Sequence, residues 1–115
     1  MKSFKGTIVQ ESLTDDRILN QFKFLGFRVT DKEKPEDRWH LFTVQAPEKI
    51  IEKLADYIKP EKWYAHFWSG DDVIAVFPNK IFRFKFSNKS TWKDAVKHGK
   101  SIGIPEEQLD FLIGE

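Results

Sequence analysis

The strongest constraint on the fold lies in residues 62–86, where three β-prone segments are separated by two short turns. Residues 69–72 (S-G-D-D) and 78–79 (P-N) are types that favour tight turns. In 81–86 (I-F-R-F-K-F), phenylalanines alternate with basic residues, which is typical of a strand with one dry and one wetted face. The sequence therefore predicts a three-stranded antiparallel meander with its phenylalanines turned inward.

The rest of the chain supplies further strands and two helices. Gly26 sits where the apolar alternation of its segment slips by one residue, so we expect a β-bulge there. Apolar residues at four-residue spacing, between Pro47 and Pro60, predict a first helix, and a second helix is expected after Ser90. The remaining predicted strands are 5–13, 22–30 and 39–45.

This order predicts an α+β fold, with helices segregated from hairpins rather than alternating with single strands. We expect one antiparallel sheet of about six strands, the last three forming the meander, with two main helices packed on it. Both helices are expected to close a single dry side of the sheet. The chain has 115 residues, so we expect one domain spanning 1–115.

Composition narrows the classes of function. Nineteen basic residues oppose eighteen acidic ones, so strong non-specific binding to nucleic acid is not expected. The chain has no cysteine, which excludes disulfides and thiol chemistry. No apolar run is long enough for a signal peptide or a membrane span. These features predict a cytoplasmic protein with no membrane partner.

Amphipathic aromatic side chains are the most promising binding groups in the sequence. Eleven phenylalanines, four tryptophans and two tyrosines are present, and such rings suit interfaces because one end is apolar while Trp and Tyr can also hydrogen-bond. We therefore expect a non-enzymatic binding module for a small ligand or a partner protein, with an aromatic surface between the meander and the C-terminal segment. The candidate ligand-binding residues are Trp39, Tyr64, His66 and Trp68, with Glu11, Gln108 and Asp110 at the rim.

An enzyme is the first alternative. His66 with Asp71 or Asp72 would provide the general base and orienting carboxylate of a small hydrolase. If His40 converged on His66, the two histidines with Asp71, Asp72 or Glu11 could hold a divalent metal. No known metal-binding spacing is present, however, so we expect no metal and no cofactor.

Two further alternatives concern macromolecular partners. Aromatic rings beside Lys80, Arg83 and Lys85 could bind single-stranded nucleic acid, but the balanced net charge of +1 makes nucleic acid an unlikely partner. The last alternative is an interaction subunit that oligomerises through an exposed sheet edge or through the apolar tail 109–113.

Four motifs resemble those of a family of small uncharacterised prokaryotic proteins. They are K-G-T-I-V-Q-E-S-L near the start, K-W-Y-A-H-F and V-F-P-N-K-I-F in the meander, and G-I-P-E-E-Q-L-D-F near the end. Their order covers nearly the whole chain. The resemblance implies a free-standing bacterial or archaeal intracellular protein and implies no catalytic residues, because the family has no assigned activity.

Overall fold

Six strands form one antiparallel sheet in the computed structural model, which describes residues 2–111. Their spatial order is β2-β3-β1-β4-β5-β6. The strands are β1 (Ser3–Val9), β2 (Lys23–Val29), β3 (His40–Pro47), β4 (Ala65–Ser69), β5 (Asp72–Phe77) and β6 (Lys80–Lys85). The helices are α1 (Glu48–Leu54) and α2 (Lys93–Ser101), with short 3₁₀ segments at Gln10–Ser12, Asp16–Gln21, Pro35–Asp37, Ala55–Tyr57, Lys89–Trp92 and Glu106–Gln108. The predicted α+β class is confirmed.

The C-terminal meander, β4-β5-β6, is confirmed with two-residue turns. Ser69 pairs with Asp72 across the first turn, and Phe77 pairs with Lys80 across the second. Gly70 has a φ of 59°, a backbone conformation that glycine adopts without a steric penalty. These turns fix the register of the meander, so each side chain is assigned to one face of the sheet.

The two helices lie on opposite faces of the sheet, which corrects the expectation of a single dry side. Ile74 of β5 packs in the same buried cluster as Ile51 of α1. Phe77, of opposite parity on the same strand, packs with Ala95 of α2 in a second cluster. Because successive side chains of a strand point to opposite faces, α1 and α2 must cover different sides. β5 is therefore dry on both faces, which explains its unbroken apolar run.

Strand β6, at an outer edge of the meander, does show the predicted alternation. Phe84 is buried and Phe82 and Phe86 are half-buried against the α2 side. Arg83 points the other way and forms ion pairs with the carboxylates of α1. The phenylalanines thus contribute to the core, while the basic side chains stay at the surface.

The C-terminal segment packs back on the α2 side of the sheet through its described residues Leu109 and Phe111. Leu109 and Phe111 are buried, and Gly99 of α2 leaves room for Leu109 because a Cβ there would lie 2.7 Å from Leu109 Cδ2. The predicted apolar residues Leu112 and Ile113 lie outside the described residues.

Candidate functional site

The aromatic row predicted on β4 exists. The ring of His66 lies between those of Tyr64 and Trp68, with centroids 6.2 Å and 5.6 Å away, on the face that α2 shares. Phe111 meets both Tyr64 and His66 edge-on, at 5.6 Å and 5.8 Å. This row of rings therefore forms part of the surface against which the C-terminal segment packs.

Two predicted rim residues, Gln108 and Asp110, join this row. The Tyr64 hydroxyl donates a hydrogen bond to the main-chain carbonyl of Gln108. Burial, together with the nearby charge of Asp110, raises the pKa of Tyr64 to about 12. The tyrosine thus stays a neutral donor that ties the C-terminal segment to the sheet.

The other predicted residues, Glu11 and Trp39, lie elsewhere, so the predicted surface is divided. The Trp39 ring packs edge-on against Trp63 at 5.1 Å. The Glu11 carboxylate accepts the main-chain N–H of His40 at 2.8 Å and the His40 Nδ1–H at 2.6 Å. This pair lines an open pocket of about 490 Å³ that also contains Asp15.

The electrostatics of this pair stabilise the join between β1 and β3. Burial alone would raise the pKa of Glu11, but the hydrogen bonds from His40 outweigh burial and lower the pKa. The folded state therefore binds fewer protons than the unfolded state, and the resulting stability is present above pH 4.5 and is lost as the pH falls below that value.

We expect Glu11→Gln to lower the free energy of unfolding at pH 7 by about 1 kcal/mol, the usual contribution of a partly exposed charged hydrogen bond. At pH 3 the difference from the wild type should shrink, because protonation already weakens the native pair. Urea unfolding at both pH values measures this. Exposed Glu36→Gln serves as the control, and equal losses for Glu11→Gln at the two pH values would contradict the assignment.

The arrangement proposed for a hydrolase does not form between His66 and Asp72. Asp72 points to the same face as Ile74 and forms ion pairs with Lys2 and Lys85. His66 pairs across the sheet with Ala75 and points to the opposite face. Strand alternation thus separates the histidine from this carboxylate.

Asp71 is held within the turn region next to β6. Its carboxylate accepts the main-chain N–H of Ser87 at 2.8 Å and the Ser87 hydroxyl at 2.7 Å. Both bonds fix the chain as it leaves β6. Asp71 therefore has a turn-stabilising role that accounts for its position.

The two histidines considered for a metal site also lie on opposite faces. His40 shares its face with Phe42, which packs on the α1-side cluster, whereas His66 belongs to the α2 side. Within residues 2–111, no group of three or more His, Asp or Glu side chains is placed to hold a metal ion.

A groove of about 660 Å³ on the α2 side lies between α2 and the segment 106–110. Lysines form one wall, and Glu106, Glu107 and Asp110 stand on the other. Lys100 forms an ion pair with Glu106 at 3.0 Å. The positive charges of the lysines and the negative charges of the carboxylates largely cancel, so the groove shows no net preference for a charged ligand.

One alternative from the sequence was an exposed sheet edge of unstated position, and the outer edge of the sheet at β2 is such an edge. Every residue of β2 is exposed, and within residues 2–111 no strand lies beyond it. Four large apolar side chains are 38% to 56% exposed there: Phe24, Leu25, Phe27 and Val29. Exposed apolar clusters of this kind mark interaction surfaces more often than chance solvent contact.

The backbone of this edge can be assigned from its pairing with β3. Thr30, directly opposite Trp39, donates its N–H to the Trp39 carbonyl at 3.0 Å. Hydrogen-bonded pairs alternate along an antiparallel ladder, so the N–H and C=O groups of Phe27 and Val29 point outward. The pair of Val29 with His40 is consistent with this assignment, because the His40 N–H is directed away from β2 and donates to Glu11.

A signal of this surface is present in the sequence, but it is incomplete. The apolar residues of β2 occupy both parities, and the bulge predicted at Gly26 is confirmed by a register shift between Phe24 and Gly26. The bulge brings Phe24 and Phe27, three residues apart, onto the same side, where both contact the Phe42 ring. Nothing in the pattern shows that the strand lies at an edge.

In comparisons with known proteins, no protein-family model, no curated protein and no solved structure matches the chain. In the part of the chain that the structure describes, none of the helices has the length and apolar character needed to cross a bilayer.

Proposed function

We propose that this protein is a non-enzymatic protein-interaction module that receives an extended segment of a partner along the free edge of β2. The observation that supports the proposal is the combination of outward N–H and C=O groups at Phe27 and Val29 with half-exposed apolar side chains on the same strand. Main-chain bonds to an added strand give affinity, and the flanking side chains give selectivity.

This surface replaces the one expected from sequence. Tyr64 and His66 pack against Phe111, so their rings contribute to seating the C-terminal segment. Phe27 stacks on the half-exposed His40 ring at 6.1 Å and contacts Phe42 at 4.9 Å, which holds its ring in place on the outer strand. A preorganised aromatic group of this kind loses little side-chain entropy when a partner covers it.

The basic residues of β2 indicate the chemistry of the partner. Lys23 and Arg28 flank the apolar side chains, and β2 contains no acidic residue. An extended, β-branched segment with acidic ends would complement both features.

The test is a fluorescence-anisotropy titration with a labelled nine-residue peptide, D-T-V-T-V-T-V-T-D, against its counterpart with a central proline. We expect the wild type to bind the first peptide and Val29→Pro to bind it about tenfold or more weakly, because proline removes an outward N–H and leaves the bonds to β3 intact. Phe27→Ser should also weaken binding.

The matched control is Trp39→Ser, because Trp39 is 45% exposed but packs on Trp63 and, one residue before His40, lies on the face opposite Phe27. Urea unfolding checks that each variant folds. If the wild type fails to bind the peptide, or if Val29→Pro binds it as tightly as the wild type, strand addition at β2 is wrong.

A further inference from the structure

The geometry points to a second copy of this chain as the occupant of the β2 edge, an inference that rests on the proposed function. Two β2 strands would pair antiparallel about a two-fold axis at Phe27. The two sheets would then form one continuous sheet across the dimer, with the α1-side aromatic clusters of both copies side by side. A two-fold interface uses the same patch twice, so the patch must complement itself.

The free edge meets this condition in the register centred on Phe27. Phe27 has its N–H and C=O pointing outward, so two copies can exchange both bonds across the axis. Val29 of one copy then faces the Leu25 region of the other, which places apolar groups against apolar groups. A register centred on Gly26 would instead set Phe24 opposite Arg28.

Charge supports the same register. Counting three steps outward from Phe27, with the bulge at residues 24–26 taken into account, brings Lys23 of one copy opposite Thr30 of the other, and Asp31 directly follows Thr30. Both Lys23 and Asp31 are exposed. Asp31 of one copy is therefore one residue beyond the position opposite Lys23 of the other, and it supplies the negative charge that β2 itself lacks.

The apolar area is close to what a dimer of this kind needs. The exposed parts of Phe24, Leu25, Phe27 and Val29 amount to on the order of 400 Å². Protein interfaces are roughly 60% apolar, so complete coverage of this area would correspond to an upper limit of about 650 Å² per copy, or about 1,300 Å² in total. That total lies within the range of specific interfaces, at its lower end. We therefore expect a reversible dimer with a Kd of about 1–100 μM.

Sedimentation velocity between about 5 and 500 μM is the first test. We expect the wild type to pass from monomer to dimer over this range. Phe27→Asp should weaken the dimer about 30-fold or more, because it places two carboxylates across the axis. Val29→Pro should act similarly through the backbone, while Trp39→Ser should dimerise like the wild type.

Cysteine cross-linking tests the register itself, and the absence of native cysteine makes it unambiguous. Phe27→Cys should form an intermolecular disulfide, because paired Cα atoms in a ladder lie about 5.5 Å apart, within disulfide range. Val29→Cys should not, because residue 29 lies about 13 Å along the strand from its own copy in this register.

The outcomes separate this inference from the proposed function. A wild type that remains monomeric at 500 μM yet binds the acidic-ended peptide would overturn the second-copy inference and leave strand addition standing. A dimer unaffected by Phe27→Asp and Val29→Pro would overturn the assignment of the dimer to β2. Cross-linking at residue 29 in preference to 27 would overturn the register.

Discussion

Replacing Gly6 with alanine is expected to lower the free energy of unfolding by about 3 kcal/mol or more. A Cβ at residue 6 would lie 2.4 Å from Phe67 Cδ2 and 2.5 Å from the main-chain oxygen of His66. A side chain can rotate away from such a contact, but a backbone oxygen in a neighbouring strand cannot. β1 and β4 would therefore have to separate locally.

The effect should be large because Gly6 lies where the two halves of the sheet join. The ladder that joins β1 to β4 pairs Lys5 with Trp68 and Gly6 with Phe67. These pairs connect the β2-β3-β1 half to the meander. Phe67 itself is fully buried, so it has little space into which it can move.

Urea unfolding measures this, with Gly26→Ala as the matched control. Gly26 is also a strand glycine, but the nearest atom to its added Cβ would be Thr43 Cβ at 3.9 Å, an ordinary contact. We expect Gly26→Ala to change stability by less than about 1 kcal/mol. Similar losses of unfolding free energy for the two variants would show that the close approach of β4 to Gly6 is not what makes Gly6→Ala destabilising.

Truncating Phe111 to alanine is the second large effect, with an expected loss of about 3–5 kcal/mol. Phe111 is fully buried, and its ring meets those of Phe84 and Trp92 as well as the aromatic row of β4, at centroid distances from 4.9 Å to 5.8 Å. Alanine would leave a cavity lined by rigid rings that cannot easily collapse.

The control is Phe24→Ala, because Phe24 is 51% exposed and its removal leaves no enclosed cavity. We expect it to cost less than about 1 kcal/mol. Thermal and urea unfolding of both variants, at a concentration where each is monomeric, measures the difference. Near-equal losses would mean that the C-terminal segment is not part of the cooperative core.

The candidate site shows which features can be predicted from local sequence patterns and which cannot. Alternation correctly placed His66 and Trp68 on one face of β4, together with Tyr64 directly before the strand, because a strand repeats every two residues regardless of its neighbours. Glu11 was associated with His40 only in the metal-site alternative, because the hydrogen bond between them depends on β1 and β3 being neighbours in the sheet.

The exposed edge could not be read from the chain for the same reason. Phe24 and Phe27 have the composition of core residues, and at the centre of a sheet they would be buried. They are exposed because β2 follows β3 at the end of the strand order, beyond the reach of either helix.

The sequence by itself determined the α+β class, the meander, the bulge at Gly26 and the parity of each strand, since these depend on short-range geometry and turn chemistry. Only the tertiary structure decided the strand order, the placement of α1 and α2 on opposite faces, and the free edge at β2. Those features depend on contacts between residues far apart in the chain, and local periodicity carries no information about which strands become neighbours.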